Sequence, residues 1–193
     1  MVDDLAKLPH SFTYADARGA GLSDRRLRNL VAEGVVERLG RGAFRRADAP
    51  LVDNDLVEIA LRVPKATLCL TSALAYHDLT DAIPTAIDIA LPRSRRAPKV
   101  TPPVRWHRFQ EDTFEVGRVS LEVDANLHLG LYGPERCIVD AFRLRHQEGE
   151  EVAVEALRRW LRRQGSVPAE LLGMAHLFPR SEPSLLHALQ VLL

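Results

Sequence analysis

The chain has 193 residues, enough for one domain or two small ones, and its apolar share of 46% is ample for a buried core. A formal net charge of zero excludes nucleic-acid binding by bulk charge, so any such binding has to rest on a local basic surface. Cys69 and Cys137 stand far apart in apolar surroundings, which excludes a disulfide framework or a metal knuckle and reads as two buried thiols. No stretch is long and apolar enough to span a membrane. The opening MVDDLAKLPH lacks the apolar run of a signal peptide, so a cytoplasmic protein with access to the chromosome, nucleoid-associated when bound to DNA, is expected.

Val2 to Leu8 reads as a first helix carrying Leu5 and Leu8. Pro9-His10 ends it, and Ser11 or Thr13 opens the next. Tyr14 to Arg18 is short and helix-compatible, and Gly19-Ala20-Gly21 breaks it. Ser23 is suited to cap a further helix running to Glu33, with Asp24 in its first turn near the positive helix end and Gly34 just past its last residue. Leu27, Leu30 and Val31 share one face of this helix. Arg25, Arg28 and Asn29 share the opposite face, with Arg26 on the flank. Val35 to Leu39 then reads as a strand, Gly40-Arg41-Gly42 as a turn, and Ala43 to Arg46 as the returning strand.

A helix-turn-helix followed at once by such a hairpin makes a wing, and the chemistry fits DNA. Arg pairs bidentately with guanine and Asn with adenine in a major groove. Arg41 at the hairpin tip, with Arg38, Arg45 and Arg46 on its strands, is placed to meet phosphates. A basic helix alone would read as an ordinary solvated face. The glycine turn before it and the wing after it point to DNA, with a winged helix that grips a protein as the alternative.

Ala47 to Pro50 is small, proline-containing and aperiodic, which puts a boundary between a winged domain of residues 1–49 and a second domain of residues 50–193. Asp53 to Val63 opens the second part as a helix with Leu56, Ile59, Ala60 and Val63 on one face, capped by Asp53 and stopped by Pro64. Ser72 to Leu79 follows as a short helix with Thr71 or Ser72 as its cap, and Ile87 to Leu91 alternates like a strand. Pro92 to Pro103 carries Arg93, Arg95, Arg96 and Lys99 with no acid among them. Its prolines exclude regular structure, so it reads as a solvated loop or as a second surface for phosphates. Val104 to Phe109, Val119 to Val123 and Asn126 to Leu131 read as strands of an antiparallel sheet. Pro134 starts a helix through Leu144. Glu151 to Gln164 is amphipathic, with Ala153, Ala156, Leu157, Trp160 and Leu161 inward and Arg158, Arg159, Arg162 and Arg163 outward, the arginines pairing with nearby glutamates. Pro168 to Leu177 and Pro183 to Leu193 complete the helices. The fold class is therefore α+β, an N-terminal winged helix-turn-helix followed by a C-terminal domain with an antiparallel sheet and several helices.

Enzyme chemistry finds little support. His77, His107 and His128 match no metal-ligand spacing, and His77 beside Asp78 reads as a surface pair. Glu122 and Asp124 lack the carboxylate–lysine pattern of metal-assisted phosphodiester cleavage and read as structural or solvated acids. Ser72 is explained by capping. Asp140, within CIVDAF, needs a partner if buried, with Arg136 and Arg143 at hand, and reads as part of a structural ion pair. No cofactor, no metal and no catalytic residue is expected.

SALAYHDLTDAIP (Ser72 to Pro84), IDIALPRSRR (Ile87 to Arg96), YGPERCIVDAFRLRH (Tyr132 to His146) and the arginine-rich helix ending in RRWLRRQG, in that order after a wing, resemble the AbiEi family of antitoxins. The resemblance spans nearly the whole chain. It implies a winged helix that binds inverted repeats in double-stranded DNA of the protein's own promoter, with two copies on the operator. It also implies a C-terminal α/β domain that counteracts a partner toxin of the nucleotidyltransferase class. Operator binding maps to Arg25, Arg28, Asn29 and the wing arginines, whereas antitoxicity maps to no single residue. The alternative is a winged-helix interaction module that neutralises its partner by direct contact, without specific DNA binding.

Overall fold

The computed structural model describes residues 3–193, so Val2 of the expected first helix lies outside the described residues. The chain has the expected α+β composition and forms two compact units. The first comprises the chain up to Ala66 together with Ala97–Pro103 and Ser120–Leu129, and the second comprises Thr67–Arg96, Val104–Val119 and Gly130–Leu193.

In the first unit α1 (Asp3–Ala6) is followed by β1 (Ser11–Thr13), α2 (Tyr14–Gly19), α3 (Asp24–Ala32), β2 (Val36–Gly40), β3 (Ala43–Arg46) and α4 (Asn54–Arg62). Local chemistry accounts for the helix starts. Thr13 and Asp16 form a reciprocal capping box at α2, and the Ser23 hydroxyl accepts the Arg26 N–H at the start of α3. Gly34, at φ +71, leaves α3 through a left-handed conformation that a side chain would resist. The wing is a three-stranded antiparallel sheet of order β1-β3-β2, one strand more than the sequence suggests. β1 is three residues long, too short for a periodic signal, and it seats Phe12 opposite Phe44 with their rings stacked at 5.8 Å. Leu8, Phe12, Ala17, Leu22, Leu27, Leu30, Val36 and Phe44 make the core of the winged fold.

The unit does not stop at Pro50. α4, capped by the Asp53 carboxylate, packs on all three strands. Its buried face is Val57, Glu58 and Ile59, whereas the expected Leu56 and Ala60 are only half-buried. The buried Glu58 carboxylate accepts from Arg62 at 2.7 Å and from the Thr101 N–H at 3.1 Å. It lies against the backbone of Gly40, where any Cβ would overlap it. Because that carboxylate is held by two donors it cannot swing aside, so Gly40→Ala is expected to cost about 1–3 kcal/mol, read as a lowered thermal midpoint. An unchanged midpoint would mean that Glu58 yields freely.

The second unit holds β4 (Thr67–Leu68), α5 (Leu70–Tyr76), β5 (Ile87–Pro92), β6 (Val104–Phe109) and α6 (Glu111–Phe114). The hairpin β7 (Arg118–Asp124) and β8 (Leu127–Tyr132) follows, its tip belonging to the first unit. α7 (Pro134–Arg143), α8 (Arg145–Glu148), α9 (Glu150–Leu161), α10 (Pro168–His176) and α11 (Glu182–Leu192) complete it. The five-stranded sheet runs β6-β5-β4-β8-β7 and is mixed, not antiparallel: β4 pairs antiparallel with β5, but β5–β6 and β4–β8 are parallel. The connection after β5 is long enough to return the chain to the strand's beginning, so Val104 starts β6 opposite Ile87.

α7 is the central helix of this unit, packed by α5, α9, α10 and α11. Asp140 on it is buried and paired as its sequence context requires, with Arg136 Nε at 2.9 Å on one oxygen and Arg143 Nε at 3.0 Å on the other. Burial pushes the Asp140 carboxyl upward, and the two guanidiniums oppose that shift. Arg136 lies between the rings of Tyr132 and Phe178, at 4.2 and 4.3 Å from their centres.

Two expectations here are corrected. Ser72 is not a cap: α5 begins two residues earlier, and the Ser72 hydroxyl instead accepts the Asp88 N–H at 2.8 Å, tying helix to strand. His77 is not a surface partner of Asp78. It ends α5 half-buried with its ring on the Tyr132 carbonyl at 2.8 Å, and burial lowers its pKa.

Candidate nucleic-acid interface

α3 is nine residues long and divides cleanly. Leu27 and Leu30 are buried in the winged core, and Arg25, Arg26, Arg28 and Asn29 are exposed. Arg26 reaches Glu33, the C-cap of its helix, at 3.9 Å. Among the described residues, Arg25, Arg28 and Arg41 have no ion-pair partner.

Facing α3 across an open groove is the wing. Leu27, Arg28 and Val31 of α3 line this groove together with Arg38, Arg41 and Phe44 of the wing. Arg38 holds its guanidinium near the turn through the Gly40 carbonyl at 3.3 Å. Gly42, at φ +74, makes the reversal that presents Arg41. Three further groove residues escape the sequence reading as interface residues: Tyr14, Asp24 and Arg62. Arg62 sits in the last turn of α4, and only the packing of α4 on the wing sheet brings it there. Tyr14 donates its hydroxyl to Asp24 at 2.7 Å, and that bond raises the phenol's pKa.

Two wing arginines are not where a two-stranded hairpin would leave them. Arg45 is buried, its side chain 4% exposed, with its guanidinium bonded to the Pro50 carbonyl and 3.5 Å from Asp124. The cause is β1: it covers the second edge of β3, so Arg45 lies between Ser11 and Glu37 in the sheet. Asp124 in turn accepts from the Ser11 hydroxyl and the Ala125 N–H and lies 3.4 Å from His10. Arg46 is bound through two nitrogens to Asp48, at 2.9 and 2.6 Å. Arg45 is therefore structural, and Arg46 is neutralised by a neighbour.

Arg93, Arg95 and Arg96 are exposed on a loop of the second unit, and Lys99 is exposed on the segment that belongs to the first. The loop is ordered by its backbone, with the Ser94 N–H on Glu111 at 2.9 Å and the Arg93 carbonyl accepting from Arg108 at 3.3 Å. In the amphipathic helix α9, Arg159 pairs with Glu155 and Asp81, and Arg163, just past its end, donates to the His77 carbonyl, not to a glutamate.

No helix among the described residues is long and apolar enough to cross a membrane. No curated protein matches the chain. Residues 2–47 match a family described as transcriptional regulator, AbiEi antitoxin, and the match ends just past the last strand of the wing. Over those residues the winged helix-turn-helix at the head of this chain is similar to the AbiEi antitoxin family of transcriptional regulators.

Proposed function

We propose that the protein is a non-enzymatic antitoxin that represses its own toxin–antitoxin operon by seating α3 in the major groove of an inverted repeat, one copy on each half-site. The observation that carries this reading is the face of α3: Arg25, Arg28 and Asn29 stand clear of the core, and Arg28 lines a groove together with Arg38 and Arg41 of the wing. Guanidinium and carboxamide groups at helical spacing suit base edges, and guanidiniums on a hairpin suit phosphates. The exposed Arg93, Arg95, Arg96 and Lys99 add phosphate contacts. Residues beyond the winged helix counteract a partner toxin of the nucleotidyltransferase class, as the family resemblance implies. The protein acts in the cytoplasm, at the nucleoid when bound.

The test is binding of purified protein to the DNA upstream of its own gene, against scrambled DNA, across a salt series. Specific binding with log K falling by roughly 0.9 per phosphate contact for each tenfold rise in salt is expected. Equal, weak binding to both DNAs would overturn the repressor reading and favour a protein-interaction module.

A further inference from the structure

Resting on the operator-binding reading, we propose that Asp24 is a base-reading residue that selects cytosine at one position in each half-site. Asp24 is the first residue of α3, and the first turn of a recognition helix is the part that reaches base edges. It lines the groove with Arg28, one turn further along the same helix face. A carboxylate among groove arginines weakens general attraction to phosphate, and the helix already has its cap in Ser23. Among the described residues the ion-pair partner of this carboxylate is Arg18 of α2, not an arginine of the groove it lines. Its Oδ1 accepts the Tyr14 hydroxyl at 2.7 Å and an Arg18 nitrogen at 3.4 Å, both from α2. Among the described residues Oδ2 carries no hydrogen bond, so one acceptor of this groove-lining carboxylate is open.

An acceptor with no proton to donate selects by exclusion. It repels phosphate oxygens, guanine O6 and N7, and thymine O4. Adenine offers an amino group, but with the N7 acceptor beside it. Cytosine offers its N4 amino group next to a C–H, the one base edge in the major groove that gives a carboxylate a donor without a neighbouring repulsion. Arg28, a donor only, selects guanine by the converse logic.

The experiment is selection of a randomised duplex pool by the full-length protein, its Asp24→Ala and Asp24→Asn variants, and Tyr14→Phe. The wild type is expected to enrich cytosine at one position per half-site by about tenfold to a hundredfold over other bases. Asp24→Ala should flatten that position alone, while total DNA affinity holds or rises. Asp24→Asn should move the preference to adenine. Tyr14→Phe, which keeps the charge but releases Oδ1, should blunt the cytosine preference in part. An Asp24→Ala pool with the wild-type motif intact overturns the assignment and leaves operator binding standing. A wild type that enriches no motif removes both.

Discussion

Arg28→Glu abolishes specific binding to the upstream DNA while leaving the protein folded: that is the expected result for the largest functional effect in the molecule. Arg28 is exposed on α3, lines the groove shared with Arg38 and Arg41, and has no ion-pair partner among the described residues. A bidentate arginine–guanine contact is worth about 1–3 kcal/mol, and the reversal also sets an acid against phosphates. The combined loss should exceed about a hundredfold per half-site at moderate salt, read by fluorescence anisotropy of a labelled duplex. The cost to the fold is small. A glutamate one turn from Asp24 adds a like-charge pair worth roughly 0.2–0.5 kcal/mol on a helix surface, so the melting profile should hardly move. Undiminished binding by this variant would mean that α3 is not the recognition helix.

The largest effect on stability is expected at Asp124. Its side chain is 3% exposed, and it faces Arg45, itself 4% exposed, at 3.5 Å. Asp124→Ala leaves a guanidinium buried without its counter-charge, a change that typically costs about 3–5 kcal/mol. Replacing both partners together, Asp124→Leu with Arg45→Met, should restore much of the loss, because an apolar pair carries no desolvation penalty. The pH dependence has a definite sign. Burial pushes the Asp124 carboxyl up, but the Ser11 hydroxyl, the Ala125 N–H, Arg45 and His10 outweigh it and hold the group below its ordinary value. A carboxyl depressed in the folded state stabilises above its unfolded value, about pH 4, and loses that contribution as pH falls through the folded value. Acid unfolding should therefore be less steep in Asp124→Ala. Chemical denaturation at pH 7 and pH 3 checks both statements, and a loss at pH 7 under about 1 kcal/mol would mean that Arg45 stays solvated.

Asp124 also illustrates what a linear reading misses. From its neighbours Glu122 and Val123 it reads as one more acid at a strand end. Its partners Ser11 and Arg45 lie more than seventy positions away, and nothing local announces them. Arg45 and Arg41 look alike in the sequence of the wing, yet one is buried and one exposed, because three residues of β1 pair along β3. The sheet of the second unit carries the same lesson. Its strands are legible from alternation, but alternation does not record direction, and the parallel pairs follow from where a long loop returns the chain. By contrast, Asp140 was legible because its partners sit three and four residues away on the same helix, where spacing alone brings them together.

The sequence by itself determined the elements whose causes are local: the capped helix α3 with its apolar and basic faces, the glycine turn of the wing, the proline-started α7 and the stripe of α9. Periodicity, caps and left-handed glycines act within a few residues, so they can be read in order. Only the tertiary structure decided which arginines remain in water, that Arg62 and Asp24 share a groove with Arg28, and that Glu58 forbids a side chain at Gly40. Burial and electrostatic pairing depend on segments that meet in space after folding, and the interface chemistry of this protein is set there.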